Sequence, residues 1–306
     1  MNETLLVVLA ASTIRLAIPL MFAALGELVS EKAGLLNLSL EGMMLAAAFG
    51  GALGSFLSGS AYVGLFVALA CSIAVAAVQG LFSIVLHANQ IVSGIGINIA
   101  VLGLTTVAAR SIFGRDAGFR IAGFGKVEVP GLFDLPFVGP AFFTQSGFVY
   151  TAPLVALAVA VLLYRTTPGL ALRAAGDEPR AVDKSGASVL GVRWLAILVT
   201  GLAAGLGGAV YSLADIHTFT ENMTQGAGYL ALAAVIFGRW RVVGTVIACL
   251  VFGVASSLQF QLPALGIDFL PAAFLIMMPY VLALLAVSGL VGRQSPPRAL
   301  TLPFSR

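Results

Sequence analysis

Charge is what this chain lacks most. Only 9% of its 306 residues are Asp, Glu, Lys or Arg, against about 25% in a soluble domain. So few charges cannot cover a water-facing surface, which excludes a soluble globular protein. Cysteine is scarce too. Cys71 and Cys249 both lie in apolar runs and read as small core residues rather than a structural disulfide. Two histidines and scattered carboxylates do not give metal-ligand spacing, so no metal site is expected. There is no GxxxxGK[ST] phosphate loop, and hence no nucleotide-driven motor. No HExxH and no Ser/His/Asp grouping marks a catalytic centre, so no catalytic residue is expected. The N-terminal MNETLLVVLAA carries Glu3 in place of a basic region, so its apolar run is expected to remain as a helix.

What the chain has in excess is apolar sequence. It is 59% hydrophobic, with a mean hydropathy of +1.04. Runs of roughly 20 residues indicate membrane-spanning helices rather than the short alternating strands of a barrel. Thirty-five glycines suit closely packed membrane helices. The expected fold is an all-α, polytopic transmembrane bundle of eight to ten segments, forming one domain over residues 1–306. The net charge of +3 points to lipid-adjacent loops rather than to nucleic acid.

The segments fall at about 5–28, 35–56, 62–86, 91–112, 148–164, 194–213, 227–237, 242–259 and 269–291. Arg15 and Pro19 are expected to kink or shorten the first, and the glycines of VSGIGIN to break the fourth. Residues 113–147, rich in Gly, Pro and Phe, contain Arg115, Asp116, Arg120, Lys126, Glu128 and Asp134. They need a surface to lie on and are expected to be an extracytoplasmic loop. Basic residues cluster at Arg165, Arg173, Arg180, Lys184 and Arg193, at Arg239 and Arg241, and at Arg293, Arg298 and Arg306. Nine crossings put all three clusters on the cytoplasmic side, with residues 293–306 as a cytoplasmic tail and the N-terminus outside.

Thr166–Arg193 is a polar island between two spanning runs, holding seven charged side chains. Asp177 is placed to cap a short helix over about 178–185, with Glu178 and Pro179 in its first turn and Gly186 as its stop. A helix this short needs a surface to pack on. It is either a solvated loop with one helical turn or a seat on a soluble partner.

Polar groups inside the spans are costly unless they face protein or water. Asn37 and Glu41, four residues apart, fall on one face of the second segment and could line a polar path. The alternative is that Glu41 pairs with Arg15 or caps a broken helix for folding alone. Gln90, Ser93 and Asn98 form a second cluster with the same two readings. Gln79 and Gln259 read as bridges between helices, Gly201, Gly205 and Gly208 as a packing face, and His87 as an interface residue.

The run from Ala24 to Gly51 contains Glu31, Gly34, Asn37, Glu41 and Gly42 in the pattern E-x-x-G-x-x-N-x-x-x-E-G. It resembles the inner-membrane permeases of ATP-binding-cassette (ABC) importers for nucleosides and simple sugars, in the branched-chain amino acid/ribose-type superfamily. Gly191–Leu213, Gly226–Trp240 and Pro279–Arg293 agree with it in the same order. The resemblance implies a permease in the bacterial inner membrane that forms the translocation pathway. Its cargo would be a nucleoside, with a pentose or other sugar second. It also implies a coupling helix within 166–193, involving Asp177, Glu178, Pro179, Arg180, Asp183 and Lys184. The implied partners are an ATP-hydrolysing subunit that binds ATP and Mg, a second and different permease chain, and an extracytoplasmic solute-binding protein. No cofactor is expected in the chain itself. An ion-coupled secondary transporter or channel is the other class; it predicts inverted repeats and midplane acids, and of these Glu41 alone stands out.

Overall fold

The computed structural model describes residues 2–114, 119–128, 130, 131, 139, 142–264, 271–288 and 295–304. Arg115, Asp116, Asp134, Arg293 and Arg306 lie outside them. The described residues form a helical bundle. Helix α1 is Asn2–Lys32, α2 Leu40–Ser58, and α3 Ala61–Gly80, which continues as a π-helical turn, Leu81–Val85. Next come α4, Gln90–Ile112, and a small antiparallel pair, β1 Lys126–Glu128 with β2 Thr144–Ser146. Helices α5 (Gly147–Arg165), α6 (Thr167–Asp177) and α7 (Pro179–Lys184) follow. Helix α8, Val189–Ala209, continues as a π-helical segment, Val210–Ile216. The last three are α9 (Ala227–Phe237), α10 (Val242–Ala264) and α11 (Ala272–Val287).

Seven of these helices are long and apolar enough to cross a membrane, and α9 and α11 add shorter apolar helices. The chain is thus a multi-pass membrane protein. Helix α1 sits at the centre, against α5, α8, α9 and α10. Its residues from Ala17 to Glu31 are almost wholly buried. Small residues make this possible. A side chain at Gly26 would meet Ala203 and Thr200 of α8, and one at Gly201 would meet Ala76 of α3. Lipid tails are as apolar as leucine, so such close van der Waals contact replaces the hydrophobic effect as the force between helices. The outer faces of α3, α4 and α5 present Phe66, Ile99, Leu104, Val107, Leu154 and Leu157 outward, as a lipid-facing surface requires.

Two expected breaks are absent. Helix α1 runs through Arg15 and Pro19 without interruption, because neighbouring helices stabilise a proline helix in the membrane; α8 packs on the Pro19 carbonyl at Gly207. Helix α4 is continuous from Gln90, its start capped by Asn89 Oδ1, which accepts from the N–H of Ile91 and Val92. Gly94 there serves the close approach of Leu38, not a break. Conversely, α2 begins later than its hydropathy indicates. Residues 33–39 are irregular and largely buried, with Gly34 at φ +83° turning the chain.

One end of the bundle gathers the basic loops. Arg173, Asp177 and Arg241 all act on the Lys32 charge there, and Ala299 N donates to Gly176 O. This is the end that the positive-inside rule expects on the cytoplasmic side. At the opposite end the loop after α4 lies on α8: Ile121 N donates to His217 O and Phe124 N to Leu213 O. Phe49, Phe113 and Phe119 close that end, the last two stacked at 4.2 Å.

Candidate solute cavity and its polar floor

The short helix α9 organises the interior. Its eleven residues rise about 16 Å, half of what a bilayer core requires. It runs from the turn at Trp240, whose Nε1 donates to Glu31, up to an N-terminus inside the bundle. That N-terminus leaves backbone N–H groups without intrahelical partners. Glu41 accepts them: Gly226 N donates to Oε1 (2.9 Å) and Gly228 N to Oε2 (2.7 Å), while Thr224 Oγ1 donates to Oε1 (2.5 Å). A carboxylate suits the positive end of a helix dipole. The contact needs a glycine, since any Cβ at residue 228 would strike the backbone of Glu41.

The segment before α2 is held just as densely. Asn37 N donates to Glu27 Oε1 at 2.9 Å, and Asn37 Oδ1 accepts from Ser39 N and Ser39 Oγ. Gln90 Oε1 accepts from Leu36 N. Asn98 Oδ1 accepts from Gly42 N, while its Nδ2 donates to Leu38 O and to Tyr229 Oη, each at 2.8 Å. Asn37, Glu41, Gln90 and Asn98 are therefore brought together around one elbow, and three of them bond backbone from residues 36 to 42. Ser93 is apart, half-buried and bonded to Gln90 O at 3.3 Å. Asn37 lies in the irregular elbow and Glu41 in the first turn of α2, so they do not share a helical face; the early turns of the expected helix are consumed by the climb from Gly34. Glu41 caps α9 rather than pairing with Arg15.

Above this floor lies a cavity of about 350 Å³. Helix α1 contributes Arg15 and Leu20, the π segment Tyr211 and Asp215, and the turn into α9 Thr224 and Gln225. Gln259 and Phe260 come from α10 and Tyr280 from α11. Tyr280 Oη donates to Gln225 O at 3.1 Å. The π-helical turns of 210–216 shift the register of α8 where Tyr211 and Asp215 enter the wall; such insertions concentrate at functional sites. Arg15 is the opposite charge that acts on Asp215, yet among the described residues neither side chain makes a hydrogen bond. Sequence reasoning treated Arg15 as a helix interruption and Gln259 as a bridge, and missed Tyr211, Asp215, Gln225 and Tyr280. The available signal was that Arg15 and Asp215 are both charged within or beside apolar runs. The volume sits at the small end of ligand pockets, and the lining combines two aromatic phenols, two amides and one charge of each sign.

At the end that gathers the basic loops, α7 occupies 179–184 inside the expected 178–185. Its cap differs. Asp177 is the last residue of α6, and Glu178 stands at the cap position without a side-chain bond. The sequence reading missed α6, which Thr166 starts by accepting from Gly169 N. Asp177, Glu178, Arg180 and Lys184 are exposed, Pro179 and Asp183 half-buried.

A lipid-facing bundle with a polar internal cavity defines the class: a polytopic membrane transport protein. The chain belongs to the family described as branched-chain amino acid transport system / permease component, whose model matches residues 9–287. It is 34% identical to the guanosine ABC transporter permease protein NupQ of Bacillus subtilis (strain 168), over 98% of this chain and 97% of that one. It is 37% identical to the putative glucose ABC transporter permease protein TsgC13 of Haloferax volcanii, over 86% and 80%. It is 31% identical to the nucleoside ABC transporter permease protein NupC of Lactococcus lactis subsp. cremoris, over 95% of each. No solved structure matches the chain.

Proposed function

We propose that this chain is the solute-conducting subunit of an ATP-driven nucleoside importer in the bacterial cytoplasmic membrane. The observation that carries the reading is the 350 Å³ cavity, whose wall offers phenol rings beside amide and charged groups. An aromatic base can lie against Tyr211, Phe260 or Tyr280, and sugar hydroxyls can exchange hydrogen bonds with Asp215, Gln225 and Gln259. Each contact is weak and there are several, as a pathway needs if the solute is to leave again. The guanosine and nucleoside permeases among its relatives favour this cargo over glucose.

The chain makes and breaks no covalent bond in this reading. ATP and Mg²⁺ belong to a separate ATPase subunit that seats against α7 through Asp177, Glu178, Pro179, Arg180, Asp183 and Lys184. A solute-binding protein delivers cargo to the outer end, where Arg110 and Glu221 are exposed. Arg15, Gln225 and Tyr280 are exposed as well. Polar groups at membrane depth face water or protein rather than lipid, which supports a second permease chain across that face. Asn37, Glu41, Gln90 and Asn98 shape the pathway by holding its floor, and Ser93 adds a polar group beside it.

The test is uptake of radiolabelled guanosine into proteoliposomes holding the permease pair with and without its ATPase. Uptake that needs the ATPase and ATP, and that excess uridine inhibits more strongly than glucose, is the expected result. Uptake that persists without the ATPase would sink the importer reading in favour of a secondary transporter. Stronger inhibition by glucose would make the cargo a sugar.

A further inference from the structure

Residues 295–304 return to the cytoplasmic end and touch four separate parts of the chain. Ala299 N donates to Gly176 O in α6 at 2.8 Å, and Thr301 N donates to Gly34 O in the elbow at 3.1 Å. Arg193 Nη2, at the start of α8, donates to Leu302 O at 3.0 Å. The His87 ring Nε2 lies 2.9 Å from Phe304 O, next to the loop into α4. The Phe304 side chain is buried in a small cluster with Ala175 of α6, Val182 of α7 and Val189 of α8, apart from the main core.

This cluster matters most for α7. Six residues cannot hold a helix in water by themselves. Val182 is its buried residue, and that residue rests in the cluster that Phe304 completes. The tail also follows a demanding path. Thr301 sits at φ +68°, a left-handed conformation that a β-branched residue adopts only when its surroundings impose it. From Gly34, where Thr301 is bonded, the elbow leads in seven residues to Glu41, which holds Thr224 in the cavity wall.

We propose that residues 295–304 are a strap that makes α6, α7, the elbow and the start of α8 move as one body, with Phe304 and Thr301 as positioning residues that link ATP hydrolysis to the cavity. The proposal rests on the reading of α7 as the face that meets the ATPase. Without the strap, α7 can be displaced without pulling the elbow. ATP is then hydrolysed and solute does not move.

The experiment measures guanosine uptake and ATP hydrolysis in the same proteoliposomes of the whole transporter. Phe304→Ala and Thr301→Pro are each expected to lower uptake per ATP hydrolysed by about tenfold, while Phe304→Leu and Thr301→Gly retain it. Phe304→Ala leaves the backbone bonds in place, so it decides the matter should Thr301→Pro fail to assemble. Unchanged uptake per ATP in Phe304→Ala overturns the strap, as does a parallel fall of uptake and hydrolysis, which marks a plain folding role. Asp183→Arg separates the two readings. If it uncouples transport and Phe304→Ala does not, the strap alone falls. If neither uncouples, the docking of α7 falls with it.

Discussion

Two sets of polar side chains lie within the apolar part of this molecule, and they are built in opposite ways. Around the elbow, Glu41 is buried and accepts three hydrogen bonds, and Asn98 takes part in three. In the cavity, the Arg15 and Asp215 side chains line open space and make no hydrogen bond among the described residues. A buried polar group that lacks a partner is costly in lipid. Groups that meet their needs from the protein act as structure. Groups that leave their needs open must meet them from water or from a solute. The contrast separates satisfied groups from cavity-facing ones, although Glu27 Oε2 and Glu31 Oε1 of α1 are left without a partner beside the elbow.

The largest effect should come from the scaffold side. Glu41→Ala strands three donors at the start of α9. At about 1–3 kcal/mol for each buried unsatisfied group, the loss exceeds about 3 kcal/mol. The purified variant is expected to unfold at a markedly lower temperature and to carry little transport; an unfolding midpoint equal to that of the parent would break the comparison. Tyr229→Phe removes a single bond to Asn98 and is expected to cost about 1 kcal/mol, read from the same melting experiment.

The binding side should behave the other way round. Asp215→Asn is expected to shift stability by no more than about 0.5 kcal/mol, yet to raise the guanosine concentration for half-maximal uptake by about tenfold, as the loss of one charge-assisted hydrogen bond to the solute would. A large drop in stability with unchanged uptake would move Asp215 into the scaffold.

The smallest effect belongs to the exposed outer pair. Arg110 donates to Glu221 through two hydrogen bonds, 2.6 and 2.8 Å, and so holds that carboxyl below its ordinary value of 4.5. A depressed carboxyl contributes stability above its unfolded value and loses it as pH falls through its folded value. The midpoints of parent and Glu221→Gln should therefore differ slightly near neutrality, converge in acid, and differ less in high salt. A difference that widens in acid would contradict the pairing.

Hydropathy was enough to place α3, α5 and α9 within a few residues. The E-x-x-G-x-x-N-x-x-x-E-G run carried the family resemblance, but it reads as one helical face from about residue 35, whereas α2 starts only at Leu40. Hydropathy could not show that residues 33–39 climb without helical structure, because a buried irregular segment and a buried helix are equally apolar. It could not show α6 either, because Gly169 and Pro168 read as loop until Thr166 is seen to cap them.

The apolar spans are therefore properties of the linear chain, since transfer into lipid is decided segment by segment. Which polar residues are satisfied by the protein and which line the cavity is visible only in three dimensions. Glu41 and Asp215 are both carboxylates in an apolar setting. Glu41 has the N-terminus of α9 brought against it from 185 residues away along the chain. Asp215 is turned by a π-helical segment into a cavity shared by five helices. A side chain's partners depend on packing between helices, and no local pattern of residues encodes them.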